Sequence, residues 1–210
     1  MEDVLDLYTA AADPLRPRIC FDERPCLMVG DVITPIPMEQ AKPKKQDYEY
    51  VRTIHNVILL AYNIDTGQRH AVVSDTRTKI DYAQFFKTIL TEQYPDAVCL
   101  KLVQDNLNIH TKGAFYKSFP PNEAKALSRR LEFHYTPKHG SWLNMAEIEF
   151  AALSRQCLDR RLDDKDQLVS EVKAWQEERN KKAVKVNWSF TADKAQEKLA
   201  RHYYKVFSDY

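Results

Sequence analysis

Two periods of apolar and polar residues run along this chain, and the changes between them mark its elements. Val57 to Asp65, VILLAYNID, is a nearly unbroken apolar run, the pattern of a strand buried on both faces. The turn DTG, Asp65 to Gly67, leads into QRHAVVSD as its hairpin partner. RICFDERP, Arg18 to Pro25, alternates and carries β-favouring Ile19 and Phe21, which predicts a short strand with Asp22 near its end. AVCLKLVQD predicts another buried strand ending at Asp105, and LEFHYTP, starting at Leu131, predicts a fifth. A helical period appears between Asp81 and Tyr94, where Tyr82, Phe85, Phe86, Ile89 and Leu90 share one face. NEAKALSRR, SWLNMAEIEFAALSRQCL, Gln167 to Arg179 and Thr191 to Val206 carry the same period and predict further helices.

At the start, MEDVLDLY is long enough for one or two helical turns, but AAADPLRP ends in prolines and predicts a linker, so the folded domain is expected to begin near Arg16. Between Gly30 and Arg52, Pro35, Pro37, Pro43 and the cluster KPKK predict an extended loop or a frayed hairpin. The resulting order is three strands, then helix, strand, helix, strand, helix, with more helices appended. That order describes an α/β fold: a mixed five-stranded sheet with helices on both faces. The expected division is a linker or helical remnant over 1–15, a core over 16–162 and a helical extension of the same domain over 163–210. Sheets of this kind place ligands at the C-terminal ends of their strands.

Composition narrows the function classes. A chain of 210 residues with 44% hydrophobic content can bury a core of its own. Its 31 basic and 30 acidic residues leave a formal charge of +1, so a nucleic-acid partner has to be met by local patches and not by a global field. Cys20, Cys26, Cys99 and Cys157 form no CxxC pair and no His spacing of a zinc site. No signal peptide and no apolar run near 18 residues is present, so a reducing, cytoplasmic setting without a membrane is expected.

Two of the predicted strands end in an aspartate, Asp22 and Asp105, and carboxylates at neighbouring strand ends project into one crevice. Burying a lone carboxylate costs several kcal/mol unless it is paired or bound to a cation. A turn or capping role is the plainer alternative for either one. In the helix after Gly140, Leu143, Ala146, Phe150 and Leu153 form an apolar stripe, while Glu147 and Glu149 point about 200° apart at about 100° per residue. Those two acids cannot both serve one metal cluster.

DERP, QDNLNIH and HYTPKHGSWLNMAEIEF together resemble the catalytic domain of DDE transposases, in the bacterial insertion-sequence branch of the mariner-like superfamily. The resemblance runs from Met1 to about Tyr204 and takes in MEDVLDLY, DYEYVR, LSRQCLDRR and the W-x-F-T of Trp188 to Thr191. It implies a ribonuclease-H-like fold and three carboxylates that hold two divalent ions, Mg2+ or Mn2+. By motif these are Asp22 of D-E-x-P, Asp105 of D-N-x-x-x-H and Glu147 of N-x-x-E, with 82 residues (23 to 104) and 41 residues (106 to 146) between them. Glu147 is then expected to face the aspartates above Leu143, Ala146 and Phe150, with Glu149 left to solvent, a salt bridge or the DNA side.

The resemblance also implies an activity and partners: hydrolysis at transposon ends, strand transfer into target DNA at TA, double-stranded DNA as substrate and a homodimer in the synaptic complex. A helix-turn-helix module would come from an upstream or separate chain. Asn106 and His110 are expected behind the metal ligands. Lys138, His139, Trp142 and Asn144 are expected near DNA, as are Arg155 in RQCLDRR and Lys42, Lys44 and Lys45 beside Tyr48 and Tyr50. Each has a duller reading: a solvated loop for the lysines, a core contact for Trp142, a satisfied structural residue for His110. Two other functions fit the same motifs, a catalytically silent DNA-binding or assembly partner and a structure-specific nuclease.

Overall fold

A computed structural model describes residues 1–31, 50–160, 162, 164–198 and 200, with backbone alone for 27–31 and 50–55. Five strands form one sheet in the order β3-β2-β1-β4-β5: β1 (Arg18–Asp31), β2 (Tyr50–Asn63), β3 (Arg69–Ser74), β4 (Leu100–Gln104) and β5 (Leu131–Tyr135). The first three are antiparallel neighbours, whereas β4 joins β1 in parallel and β5 joins β4 in parallel. The sheet is therefore mixed, as its element order predicts. Strands β1 and β2 run on well past the short strands expected, pairing from Ile19 with Asn63 out to Asp31 with Tyr50, with a register shift between Leu27 and Val29. The cluster KPKK, with Lys42, Lys44 and Lys45, lies outside the described residues.

Alternation along the strands sorts the core into two layers. Ile58, Leu60 and Tyr62 of β2, Cys20 of β1 and Val103 of β4 face a layer containing α1 (Glu2–Thr9), α5 (Met145–Leu153), α6 (Lys165–Lys181) and α7 (Ala192–Lys198). Phe21, Leu59, Ala61 and Leu102 face the other side, with α2 (Lys79–Thr88), α3 (Lys112–Ser118) and α4 (Pro121–Arg129). Helix α3 was not expected; it is short and buries only Ala114 and Phe115, too little to print a helical period.

The opening helix corrects the expected domain boundary. Val4, Leu5 and Leu7 of α1 are buried in the same core as Phe150 and Trp175, so the fold starts at α1 and not near Arg16. Tyr8 completes the anchoring by donating its hydroxyl to the Leu143 carbonyl at 2.8 Å. The long helix predicted from Ser141 to Leu158 is instead three pieces: a 3-10 turn (Ser141–Leu143), α5 and a π-helical turn (Ser154–Leu158).

Edge strand β3 is kept from pairing further by α6. Asn180 accepts from the Arg69 N–H and donates to the Arg69 carbonyl, both at 2.8 Å, imitating a neighbouring strand. Gly67 closes the β2–β3 turn at φ 74°, where a Cβ would sit 2.9 Å from the Val184 carbonyl oxygen. No helix among the described residues is long and apolar enough to cross a membrane.

Candidate active site

Asp22 and Asp105 come together through register. Cys20 of β1 pairs with Val103 of β4 in parallel; Asp22 lies two residues further along β1, and Asp105 lies two residues past Val103, just beyond the end of β4. The side of β1 that carries Cys20 and Asp22 is covered by α5. The helix begins at Asn144, whose side-chain oxygen accepts from the Ala146 N–H at 3.1 Å, an N-cap. Its amide donates to the Phe21 carbonyl at 2.8 Å and lies 3.5 Å from Asp22 Oδ2. One buried asparagine thus starts the helix and fastens it to β1 beside the first aspartate. Glu147 follows in the first turn of α5, where the helix N-terminus favours an acid. It is exposed, while Leu143, Ala146 and Phe150 are buried beneath the helix as expected.

The electrostatics register the convergence. Burial, partly countered by a hydrogen bond from the Glu23 N–H, pushes the Asp22 carboxyl up to about 7, and the charges of Glu147, Glu23 and Asp105 push it the same way. The charged groups that raise it are all carboxylates. Hard oxygen donors of this kind suit Mg2+ or Mn2+, which bind through one or two carboxylates and keep several waters. Among the described residues no group of three His, Cys, Asp or Glu side chains is placed to hold one metal ion.

Glu23, next to Asp22, has the opposite orientation. Its side chain joins the α2–α3 side of the sheet, where His110 Nε2 lies 2.8 Å from Glu23 Oε2 and His110 Nδ1 lies 2.5 Å from Asp105 Oδ1. His110 is fully buried against Phe21 and Tyr82. Burial alone would lower its pKa, but the hydrogen bonds to Asp105 and Glu23 outweigh it and bring the imidazole to about 9. His110 therefore lies directly against Asp105. Sequence reasoning missed Glu23; strand alternation was the available signal, since it places neighbours in DERP on opposite faces.

The remaining candidates are spread around this centre. Asn106 is exposed in the loop after β4. Lys138 and His139 are exposed in the loop after β5, which turns through a left-handed His139 at φ 62°. Trp142 is 47% exposed and packs edge-on against Phe190, so it is no core residue. Asn144 is buried with its amide engaged inside the protein, and Arg155 is exposed, donating to the Ala151 carbonyl. Glu149 takes the salt bridge among its expected alternatives: it is fully buried, paired with Arg69 of β3 and Arg179 of α6, away from the aspartates.

Residues 17–169 match the DDE superfamily endonuclease family. The chain belongs to it. No curated protein matches the chain in sequence. Among solved structures, this DDE superfamily member is similar to the Mos1 mariner paired-end complex with Mn at a TM-score of 0.58 and 14% identity, over 86% of this chain and 54% of that one. It is similar to the Mos1 strand transfer complex at a TM-score of 0.57 and 13% identity, over 86% of this chain and again 54% of the other. The chain thus spans about half the length of the Mos1 chains it matches. At such low identity the likeness is one of fold, and it makes the five-stranded sheet of this DDE superfamily endonuclease ribonuclease-H-like.

Proposed function

We propose that the chain is the catalytic domain of a DDE transposase, of the bacterial insertion-sequence branch of the mariner-like superfamily, that cuts DNA at transposon ends and joins them to target DNA at TA. The observation that carries this reading is the placement of three acids around one end of the sheet: Asp22 on β1 beside the Asn144 cap, Glu147 in the first turn of the helix that cap starts, and Asp105 just past the end of β4, next to β1. In it these three carboxylates hold two Mg2+ or Mn2+ ions. When bound, the ions supply Lewis-acid activation of a water or a DNA 3′-hydroxyl and neutralise charge at phosphorus. The protein's part is to present oxygens. The Glu23 N–H holds Asp22 Oδ1 at 2.9 Å, leaving Oδ2 facing the Asn144 amide, and Glu147 extends from the first turn of a helix tied to the same strand.

Double-stranded DNA would cross the rim carrying Lys138, His139, Trp142 and Arg155, with Asn106 beside Asp105 and Lys42, Lys44 and Lys45 reaching further phosphates. Synapsis of two ends requires two copies, and a helix-turn-helix module on an upstream or separate chain would choose the ends. Such a protein works in the cytoplasm, on nucleoid DNA.

The test supplies duplexes carrying the element's terminal repeat, with Mg2+ or Mn2+ and the end-recognising module in trans. Nicked and joined products are expected from the wild type. D22N, D105N and E147Q are each expected to lose at least about 100-fold, since even residues behind a metal ligand cost about 10–100-fold. E149Q should cut normally per folded molecule. Cutting without joining would mark a structure-specific nuclease, and binding without cutting a silent assembly partner. Loss of cutting in E149Q with activity kept in E147Q would overturn the third ligand.

A further inference from the structure

We infer that Glu23 and His110 form a buried positioning pair that fixes Asp105 so that one carboxylate oxygen is committed to the protein and the other is presented to the metal. This rests on the reading of Asp105 as a metal ligand. His110 Nδ1 lies 2.5 Å from Asp105 Oδ1, with the Asp105 carbonyl also within 3.2 Å of that nitrogen. The Leu107 N–H donates to the same Oδ1 at 3.3 Å. Asp105 Oδ2 has no hydrogen-bond partner among the described residues, so the two oxygens of one carboxylate are in different circumstances.

The ring itself has little freedom. Its Nε2 meets Glu23 Oε2 at 2.8 Å, and its face stacks on Tyr82 at 5.1 Å with Phe21 edge-on at 5.3 Å. The His110 carbonyl accepts from Gln104 Nε2 and from the Tyr135 hydroxyl, which anchors the backbone as well. Both side chains of the pair are essentially sealed from solvent, at 0% and 1% exposure. Glu23 has a second oxygen, Oε1, that is buried without a hydrogen bond, with Arg77 at 3.8 Å as its ion-pair neighbour. A carboxylate accepts that desolvation only where something else requires its charge at that spot. Here the requirement is the imidazole, which needs an acceptor on one nitrogen to aim the other at Asp105. The loop after β4 has no regular backbone bonding to hold Asp105 in place, so the side-chain chain from β1 takes over that task. Adjacent residues of one strand therefore serve two different acids: Asp22 acts on its own face, and Glu23 acts through His110 on the strand next door.

The experiment measures Mn2+ affinity of the whole chain, without DNA, from the loss of the free Mn2+ paramagnetic resonance signal. The variants are D105N, the pair E23Q/H110Q, and the three substitutions combined. Two neutral amides leave no unpaired buried charge, so the pair variant should fold, checked by its unfolding temperature. Its Mn2+ affinity is expected to fall about 10–100-fold. The combined variant should bind no more weakly than D105N alone, because the pair acts only through Asp105. A folded pair variant with wild-type affinity, alongside a weakened D105N, would overturn the inference. Losses that multiply in the combined variant would overturn it too, placing the pair's effect elsewhere. D105N with wild-type affinity would instead remove the ligand assignment beneath it. If the pair variant does not fold, E23Q alone decides: it keeps an acceptor of the same size, a partial loss supports the inference and unchanged affinity overturns it.

Discussion

Glu147 and Glu149 are two positions apart in one helix, and their environments differ as much as two glutamates can. Glu147 is exposed at the N-terminal turn among acids, whereas Glu149 is fully buried between two arginines. Helix phase separates them in the sequence, but which arginines await Glu149 does not appear there, because Arg69 is 80 residues away. Asp22 makes the cost of the site measurable. Its carboxyl has a folded pKa of about 7 against an ordinary value of 3.8. Between those values the unfolded chain releases the proton that the folded chain keeps, so stability falls as pH rises through that window. In EDTA, D22N is therefore expected to unfold at a higher temperature than the wild type above pH 7, with the two curves converging toward pH 4. Mn2+ should raise the wild-type unfolding temperature more than that of D22N. Equal pH slopes in a scanning fluorimetry series would contradict this.

Among the elements, α5 shows where periodicity stops being informative. SWLNMAEIEFAALSRQCL has one continuous helical pattern, yet the α-helix starts only at Met145. The break is made by Asn144, which gives up a helical conformation to cap Ala146 and to bond the Phe21 carbonyl. A residue-by-residue reading saw an asparagine of the N-x-x-E motif; the bond to β1 is non-local and could not be read. N144A is expected to cost about 2–3 kcal/mol, from a lost cap of about 0.5–2 kcal/mol and an orphaned buried carbonyl of about 1–3 kcal/mol. N144D keeps the cap but loses the donor and brings another carboxylate toward Asp22. Urea unfolding should accordingly find both variants below the wild type, with the deficit of N144D growing as pH rises. Wild-type stability in N144A would mean that α5 is held in place by its apolar face alone.

At the scale of the molecule, the site depends on parts distant from it in the chain. Helix α1 buries Val4, Leu5 and Leu7 in the layer that carries α5, and Tyr8 bonds the carbonyl of Leu143 just ahead of Asn144. A chain beginning at Arg16 would remove those three side chains from the core, at about 1.5–3 kcal/mol each as an upper estimate. It is expected to lose about 5 kcal/mol in a urea titration and to bind Mn2+ more weakly once folded; unchanged stability would return α1 to the status of a linker. By itself the sequence determined the strands, most helices, the mixed sheet and the separation of Glu147 from Glu149, because each is written in local alternation and helical spacing. The identity of the three acids came from motif resemblance, not from period or composition. Tertiary structure alone decided that α1 belongs to the core, that Asn144 fastens α5 to β1, and that Glu23 serves Asp105 through His110. The physical reason is range: a period is set by neighbours a few residues apart, while a buried polar group is satisfied by whichever partner the folded sheet brings within about 3 Å.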